Sequence, residues 1–357
     1  MKHIIETFVP LGGKHCITNA LKQIFYYYDH PLSEEMIFGV ASGLAFTYIN
    51  LANSPMVSGR SKLFEFERKL AERLNISIKC KQPKNYDIAF TKTKKMIDHD
   101  CPVFIYADMP FMKYLGLNEN SHFGGHAVVI FGYDDEDQVF YVSDRDNDNH
   151  PIRTPKGDIA EDYHLVSYAQ MSEARNSKFR PFPANNKCLE LDFSNYQEIK
   201  SETIICAIAD TCESMLNPPA NLTGINGITK FAKEVVKWNK FDHEKLKTAG
   251  ITNYFQINKD GGTGGGIFRN MYGHFLIEAD SILSSMCFGE IGASYISLSE
   301  QWDLLANSMW RLGETGDREL LKSMSEQILD LYEKEKALLM RLQSSVQETG
   351  RCDYAYY

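Results

Sequence analysis

No CxxC pair occurs among the eight cysteines of this 357-residue chain. Their scatter (Cys16, Cys80, Cys101, Cys188, Cys206, Cys212, Cys287 and Cys352) excludes the paired spacing of a zinc ribbon or a thioredoxin-type redox motif. A clustered basic run is missing too. With 38 basic against 47 acidic residues the net charge is −9, so the footprint for a phosphate backbone is absent and nucleic acid is not expected as a partner. No stretch reaches the roughly 20 consecutive apolar residues of a membrane span. The longest uncharged run, 36–59, is mainly apolar only in its first half and then meets Asn50, Asn53, Ser54 and Pro55. It reads as a buried core helix, and no membrane partner is expected. The opening MKHIIETFVPLGG is broken by Glu6 and Pro10 and holds no secretory apolar core. The expected location is therefore the cytoplasm, with free thiols.

Three further motifs are incomplete. His122 and His126 are four apart, but HFGGH holds two glycines and lacks the general-base glutamate of a zinc helix, so no metal is expected. Asp144, Asp146 and Asp148 imitate the start of an EF-hand loop. Asn149 stands where that loop needs glycine and Pro155 where it needs glutamate. GGTGGG at 261–266 lacks the GK[ST] of a nucleotide-binding loop. Either it is a flexible connection, or it cradles a phosphate at the start of the next helix.

What remains is an ordinary globular composition, 43% hydrophobic and 24% charged. At roughly 150 residues per domain the length suggests about two domains. Residues 14–28 carry Ile17, Ala20, Leu21, Ile24 and Phe25 at helical spacing. Ser33 with Glu34 and Glu35 marks another helix start, and 61–75 reads as a charged amphipathic helix. Strands are expected at 75–80, at 101–107, twice within 126–144, and at 188–193. From 201 the periodicity is helical almost to the end: 201–216, 224–239, 267–287, 297–312 and 317–347. The division is read as 1–195, α/β in pattern, then 196–347, helical, then a loose tail 348–357. The segment 188–193 can also be read as the last strand of the first domain's sheet.

A thiol, an imidazole and a carboxylate stand out. Cys16 follows Gly12 and Gly13 at a helix start, where the macrodipole favours a thiolate and backbone N–H groups can meet an oxyanion. His126 begins one strand of an expected hairpin and Asp144 ends the other. Those strands place the carboxylate beside one imidazole nitrogen while the other faces the thiolate.

The order of a Cys-bearing helix, then HAVVIFGY, then YVSD resembles the papain-like cysteine fold, in the branch that uses aspartate as third member. That fold carries a glutamine six residues before the cysteine to complete the oxyanion hole. Here the position is Pro10, so Asn19 or a backbone N–H near Gly13 is the candidate donor. GGKHCITNAL, LSEEMIFGVASGLAFTYI, HFGGHAVVIFGYDDEDQVFYVSD and MSEARNSKFRPFP resemble the N-terminal domain of the butirosin biosynthesis protein H family. NPPANLTGINGITKFAKEVVKW and GTGGGIFRNMYGHFLIEAD resemble the helical domain that follows it. The resemblance spans roughly residues 8–345. It implies an α+β, papain-like catalytic domain with a mostly α-helical second domain covering its cleft. It implies acyl transfer from the phosphopantetheine arm of an acyl carrier protein, or another thioester donor, through Cys16 to a small amine, with no other cofactor. His126 is then general base and acid, and Asp144 orients it.

Further candidate substrate contacts are Gly13, Asn19, Asp108 and His122 in the first domain, and Arg269, Tyr272 and Glu278 on one expected helix. Arg269 is assigned to an anion, Glu278 and Asp108 to an ammonium. Lys230, Lys233, Lys237, Lys240, Lys245 and Lys247 form the one locally basic stretch, a candidate docking face for an acidic carrier. A hydrolase using the same three residues and a non-catalytic binding module are the alternatives. The oligomeric state stays open, a homo-oligomer included.

Overall fold

A computed structural model describes residues 1–51, 54–180, 182–283 and 286–353. In chain order the elements are β1 (Lys2–Ile4), α1 (Cys16–Tyr27), α2 (Glu34–Val40), β2 (Leu44–Leu51), β3 (Ser54–Arg60), α3 (Glu65–Leu74), β4 (Ser77–Lys81), α4 (Tyr86–Ile97), β5 (Val103–Ala107), β6 (His126–Asp134) and β7 (Val139–Ser143). There follow β8 (Ile152–Thr154), β9 (Gly157–Ile159), β10 (His164–Ser167), α5 (Tyr168–Asn176), β11 (Cys188–Asp192), α6 (Ser201–Leu216), α7 (Gly224–Val235), α8 (His243–Ile257), α9 (Arg269–Leu283), α10 (Met286–Thr315) and α11 (Leu320–Asp353). The protein is α+β. It divides into one unit of Met1–Ile37 with Asn75–Gln197, and a second of Phe38–Leu74 with the chain from Glu198 onward.

The first unit is organised by HAVVIFGYD. Such an unbroken apolar strand is stable only when both faces are covered, and β6 is buried at every position. It lies inside an antiparallel sheet of order β10-β7-β6-β5-β11-β4, with β1 pairing the far end of β6. α1 packs against β6 through its apolar stripe, and Ile17, Ala20, Leu21, Ile24 and Phe25 are all buried. CLELD enters between β4 and β5 and pairs antiparallel with both, as the last strand of this sheet.

Two corrections concern residues 36–59. They do not form a core helix. α2 ends at Val40, and β2 and β3 then pair as an antiparallel hairpin. The burial alternates, with Leu44, Phe46 and Tyr48 inside and Thr47 and Ile49 half-exposed, which is the period of a strand and not of a helix. Nor does the chain break once near 195, because residues 38–74 join the helical unit. Within that unit Asn253 of α8 accepts the Val57 N–H at 3.0 Å and donates to the Pro55 carbonyl at 2.9 Å, fastening β3 to the helices. α9 and α10 meet at Gly273 and Gly292, where an added Cβ would lie 2.7 Å and 2.5 Å from the opposing carbonyl oxygen. The expected loose tail is helical as far as Asp353, and its tyrosines, Tyr354, Tyr356 and Tyr357, lie outside the described residues. Among the described residues no helix is long and apolar enough to cross a membrane.

Candidate active site

The site is built at one end of β6, where the sheet meets the start of α1. His126 is the first residue of β6 and pairs with Ala107. The register Val129 to Ser143 between β6 and β7 carries Asp144 alongside Val128, on the face His126 shares and one diagonal step away. Asp144 Oδ2 lies 2.7 Å from His126 Nε2, and both side chains are buried. With Nε2 committed, Nδ1 is the nitrogen left to act on Cys16, whose thiol the neighbouring imidazole favours as thiolate. Cys16 keeps part of its surface exposed. The three residues singled out in the sequence thus come together within the first unit.

Their electrostatics are mutually supporting. Burial alone would raise the Cys16 thiol, but the neighbouring His126 and the backbone of Ala127 outweigh it and hold the pKa below its ordinary value. Burial alone would lower His126, yet the Asp144 carboxylate and the Cys16 contact raise it to about 10. Asp144 itself is held down at about 2, against burial, by His126, Tyr114 and Arg145. The arrangement favours a thiolate beside an imidazolium.

Two residues that the sequence reading missed complete the frame. Glu34, at the start of α2, is 4% exposed and reaches the N-terminus of α1. Its carboxylate accepts the Lys14 N–H at 2.7 Å, the His15 N–H at 3.0 Å and the Thr18 hydroxyl at 2.7 Å. Tyr114, between β5 and β6, donates to Asp144 Oδ2 at 2.8 Å. The glutamate pair was visible as a helix start, but only the chain path brings it to a different helix.

Several expected substrate contacts are instead internal struts. Gly13 donates its N–H to the Arg145 carbonyl at 2.7 Å, so that N–H is not an oxyanion donor. The position does need glycine, because a Cβ would lie 2.4 Å from both Asn19 Oδ1 and Glu34 Oε2. Asn19 is 1% exposed, and its Nδ2 donates to the carbonyls of Leu11 at 2.9 Å and Asp144 at 3.0 Å, which removes it from the oxyanion position. Asp108 is fully buried and accepts from the Phe123 N–H at 2.7 Å and the Ser177 hydroxyl at 2.6 Å, while contacting His122 Nδ1 at 2.8 Å. It pins the base of the 109–125 connection and is not open to a ligand's ammonium. His122 is half-buried, held by Asp108 and stacked 3.4 Å from Phe179.

In the second unit Arg269 is fully buried, and its Nη2 meets Glu335 Oε1 at 2.6 Å. It also donates to the carbonyls of Ala45 and Ile267, so the expected anion contact is replaced by an internal ion pair. Tyr272 is likewise fully buried, against Phe275 and Tyr295. Glu278 is half-buried on α9. The glycine-rich turn does not offer a phosphate cradle, because Gly265 donates to Thr263 Oγ1 and Gly266 to the Asp303 carboxylate, which already supplies the anion. In the lysine-rich stretch Lys230 and Lys237 pair with Glu234. Among the described residues, no group of three or more His, Cys, Asp or Glu side chains could hold a metal ion.

Comparison with known families divides the chain in two. Residues 15–145, which contain all three members of the constellation, match the family described as butirosin biosynthesis protein H, N-terminal. Residues 169–342 match a domain of unknown function, DUF4872. A search of curated proteins finds no match.

Proposed function

From the match of residues 15–145 to the N-terminal domain of the butirosin biosynthesis protein H family, we propose that the chain is a cysteine-dependent acyltransferase of biosynthesis. It takes an acyl or aminoacyl group from a thioester, such as that on a carrier protein's phosphopantetheine arm, and delivers it to a primary amine. The observation that carries this reading is the buried, hydrogen-bonded His126–Asp144 pair beside Cys16 at the start of α1, with the thiol lowered and the imidazole raised to about 10. The Cys-bearing helix packed on an antiparallel sheet supports a papain-like arrangement.

The chemistry balances on these residues. The Cys16 thiolate attacks the thioester carbonyl carbon. As the tetrahedral adduct collapses, the C–S bond to the donor breaks and the departing thiolate takes the proton from His126. Acyl-Cys16 and a free donor thiol result. The amine then attacks the acyl carbon, the neutral imidazole accepts a proton from its nitrogen, and Cys16 leaves as thiolate. Asp144 holds the ring through both steps. The N–H groups of Lys14 and His15 are taken by Glu34, so the N–H of Cys16 itself is the helix-start donor best placed for the oxyanion.

The test is intact mass of wild type and Cys16→Ser, each exposed to small acyl thioesters without amine. The expected result is an acyl adduct on wild type alone, discharged as an amide when a primary amine is added. Discharge by water at the same rate would transfer the reading to a hydrolase. An adduct on both proteins would remove Cys16 from the mechanism.

A further inference from the structure

Two donors converge on one oxygen of the triad. Tyr114 sits in a short 3-10 turn, Lys113–Leu115, between β5 and β6. Its hydroxyl donates to Asp144 Oδ2 at 2.8 Å, the same oxygen that faces His126 Nε2 at 2.7 Å. The phenol ring is locked from behind. It lies flat on the His164 imidazole, with centroids 3.7 Å apart and planes 3° from parallel. His164 is fixed in turn, because its Nε2 meets both oxygens of Asp146 at 3.0 and 3.1 Å. Asp146 Oδ2 also accepts the Glu161 N–H at 3.0 Å. The buried Met112 and Leu115 on either side of Tyr114 anchor the turn. A continuous column therefore runs from the thiol through His126, Asp144, Tyr114 and His164 to Asp146.

A hydroxyl that merely needed an acceptor could use any carbonyl. This one shares the oxygen that orients the general base. Its donation spreads the carboxylate charge and favours the ionised form. It also fixes the rotation of the carboxylate, whose other oxygen accepts the Arg145 N–H at 2.7 Å. Burial, with the nearby Asp144 charge, pushes the Tyr114 hydroxyl well above its ordinary pKa, so it remains a donor wherever the site functions.

We propose that Tyr114 is a positioning residue: acting through Asp144, it sets the orientation of His126 and the low-pH limit of the Cys16–His126 ion pair. This rests on the reading of Cys16 as an activated thiolate. The titratable and charged groups that face Asp144 and Tyr114 are His126, Arg145, Asp146 and His164, with Cys16 beyond the imidazole.

Tyr114→Phe keeps the ring and its stack and removes only the hydroxyl. The full chain is treated with iodoacetamide from about pH 3 to about pH 9, and modification of Cys16 is followed by peptide mass. Wild type should alkylate below the ordinary thiol value of 9.0. In Tyr114→Phe the acid limb should move up by about one pH unit and the plateau should fall about three- to tenfold, as expected for loss of one charge-assisted hydrogen bond. Lys113→Ala, an exposed neighbour in the same turn, should change neither. Superimposable profiles of wild type and Tyr114→Phe would overturn the role of Tyr114 and leave the thiolate reading standing. A uniform loss of rate with an unmoved limb, accompanied by a lower melting midpoint, would also overturn it, since that is the signature of a purely structural residue. A wild-type profile that rises only near pH 9.0 would refute the thiolate reading itself.

Discussion

Asp144→Asn removes one charge and almost no volume, so its effect isolates the electrostatics of the site. Asp144 Oδ2 receives two donors, His126 Nε2 and Tyr114 Oη, and Oδ1 receives the Arg145 N–H. An asparagine cannot satisfy all three. With its amide nitrogen at the Oδ2 position it faces two donors, and with the amide flipped it faces the Arg145 N–H. Either orientation leaves donor against donor in a buried site. The charge matters more. Without the carboxylate, the burial of His126 is unopposed except by Cys16, and its pKa should fall from about 10 to 6.5 or lower. Each pH unit is worth about 1.4 kcal/mol, so the imidazolium loses at least about 5 kcal/mol of support. The thiolate it stabilises should weaken with it. At about pH 6, alkylation of Cys16 by iodoacetamide should slow by about two orders of magnitude relative to wild type, while the rates converge toward the ordinary thiol range. A parallel melt checks the fold. An Asp144→Asn protein that is folded and alkylates at pH 6 as fast as wild type would refute the claim that Asp144 sustains the ion pair.

Arg269→Met strands the Glu335 carboxylate in the second unit's core and should cost about 3–5 kcal/mol of stability in a denaturant melt. Adding Glu335→Leu should recover most of that loss, and no recovery would mean that Arg269 does something besides pairing with Glu335. Glu34→Gln keeps the shape of the side chain that accepts the Lys14 and His15 N–H groups and the Thr18 hydroxyl but loses its charge, which should cost about 1–2 kcal/mol by thermal melt. An unchanged melting midpoint would contradict that role.

Much of the site is legible in the sequence because it depends on short-range order. A helix start after two glycines places Cys16 on α1, and a single hairpin brings His126 and Asp144 to one face at diagonal positions. That geometry follows from strand pairing alone. Family resemblance was legible for the same reason, since its motifs are contiguous strings. The misreadings came where burial decides. Asp108, Asn19 and Arg269 are chemically suited to bind a ligand, but each is enclosed, Asp108 and Arg269 held by internal hydrogen bonds and Asn19 with its amide nitrogen committed to the carbonyls of Leu11 and Asp144. Polarity in a sequence does not say which side of the surface a residue will take. The segment 36–59 shows a related error. Its apolar content suggested a core helix, while the alternation Leu44, Phe46, Tyr48 carried the true period.

By itself, then, the sequence pointed to the α+β class, the helical C-terminal half, the family resemblance of residues 15–145 and the thiol, imidazole and carboxylate that the fold brings together. Tertiary structure alone decided that Glu34 holds the chain just before α1, that Tyr114 shares the Asp144 oxygen that faces His126, and that residues 38–74 belong with the helical unit. The physical reason is range. Helix and hairpin geometry is set by neighbours a few residues apart, whereas these contacts bring together groups whose separation along the chain leaves no periodic trace.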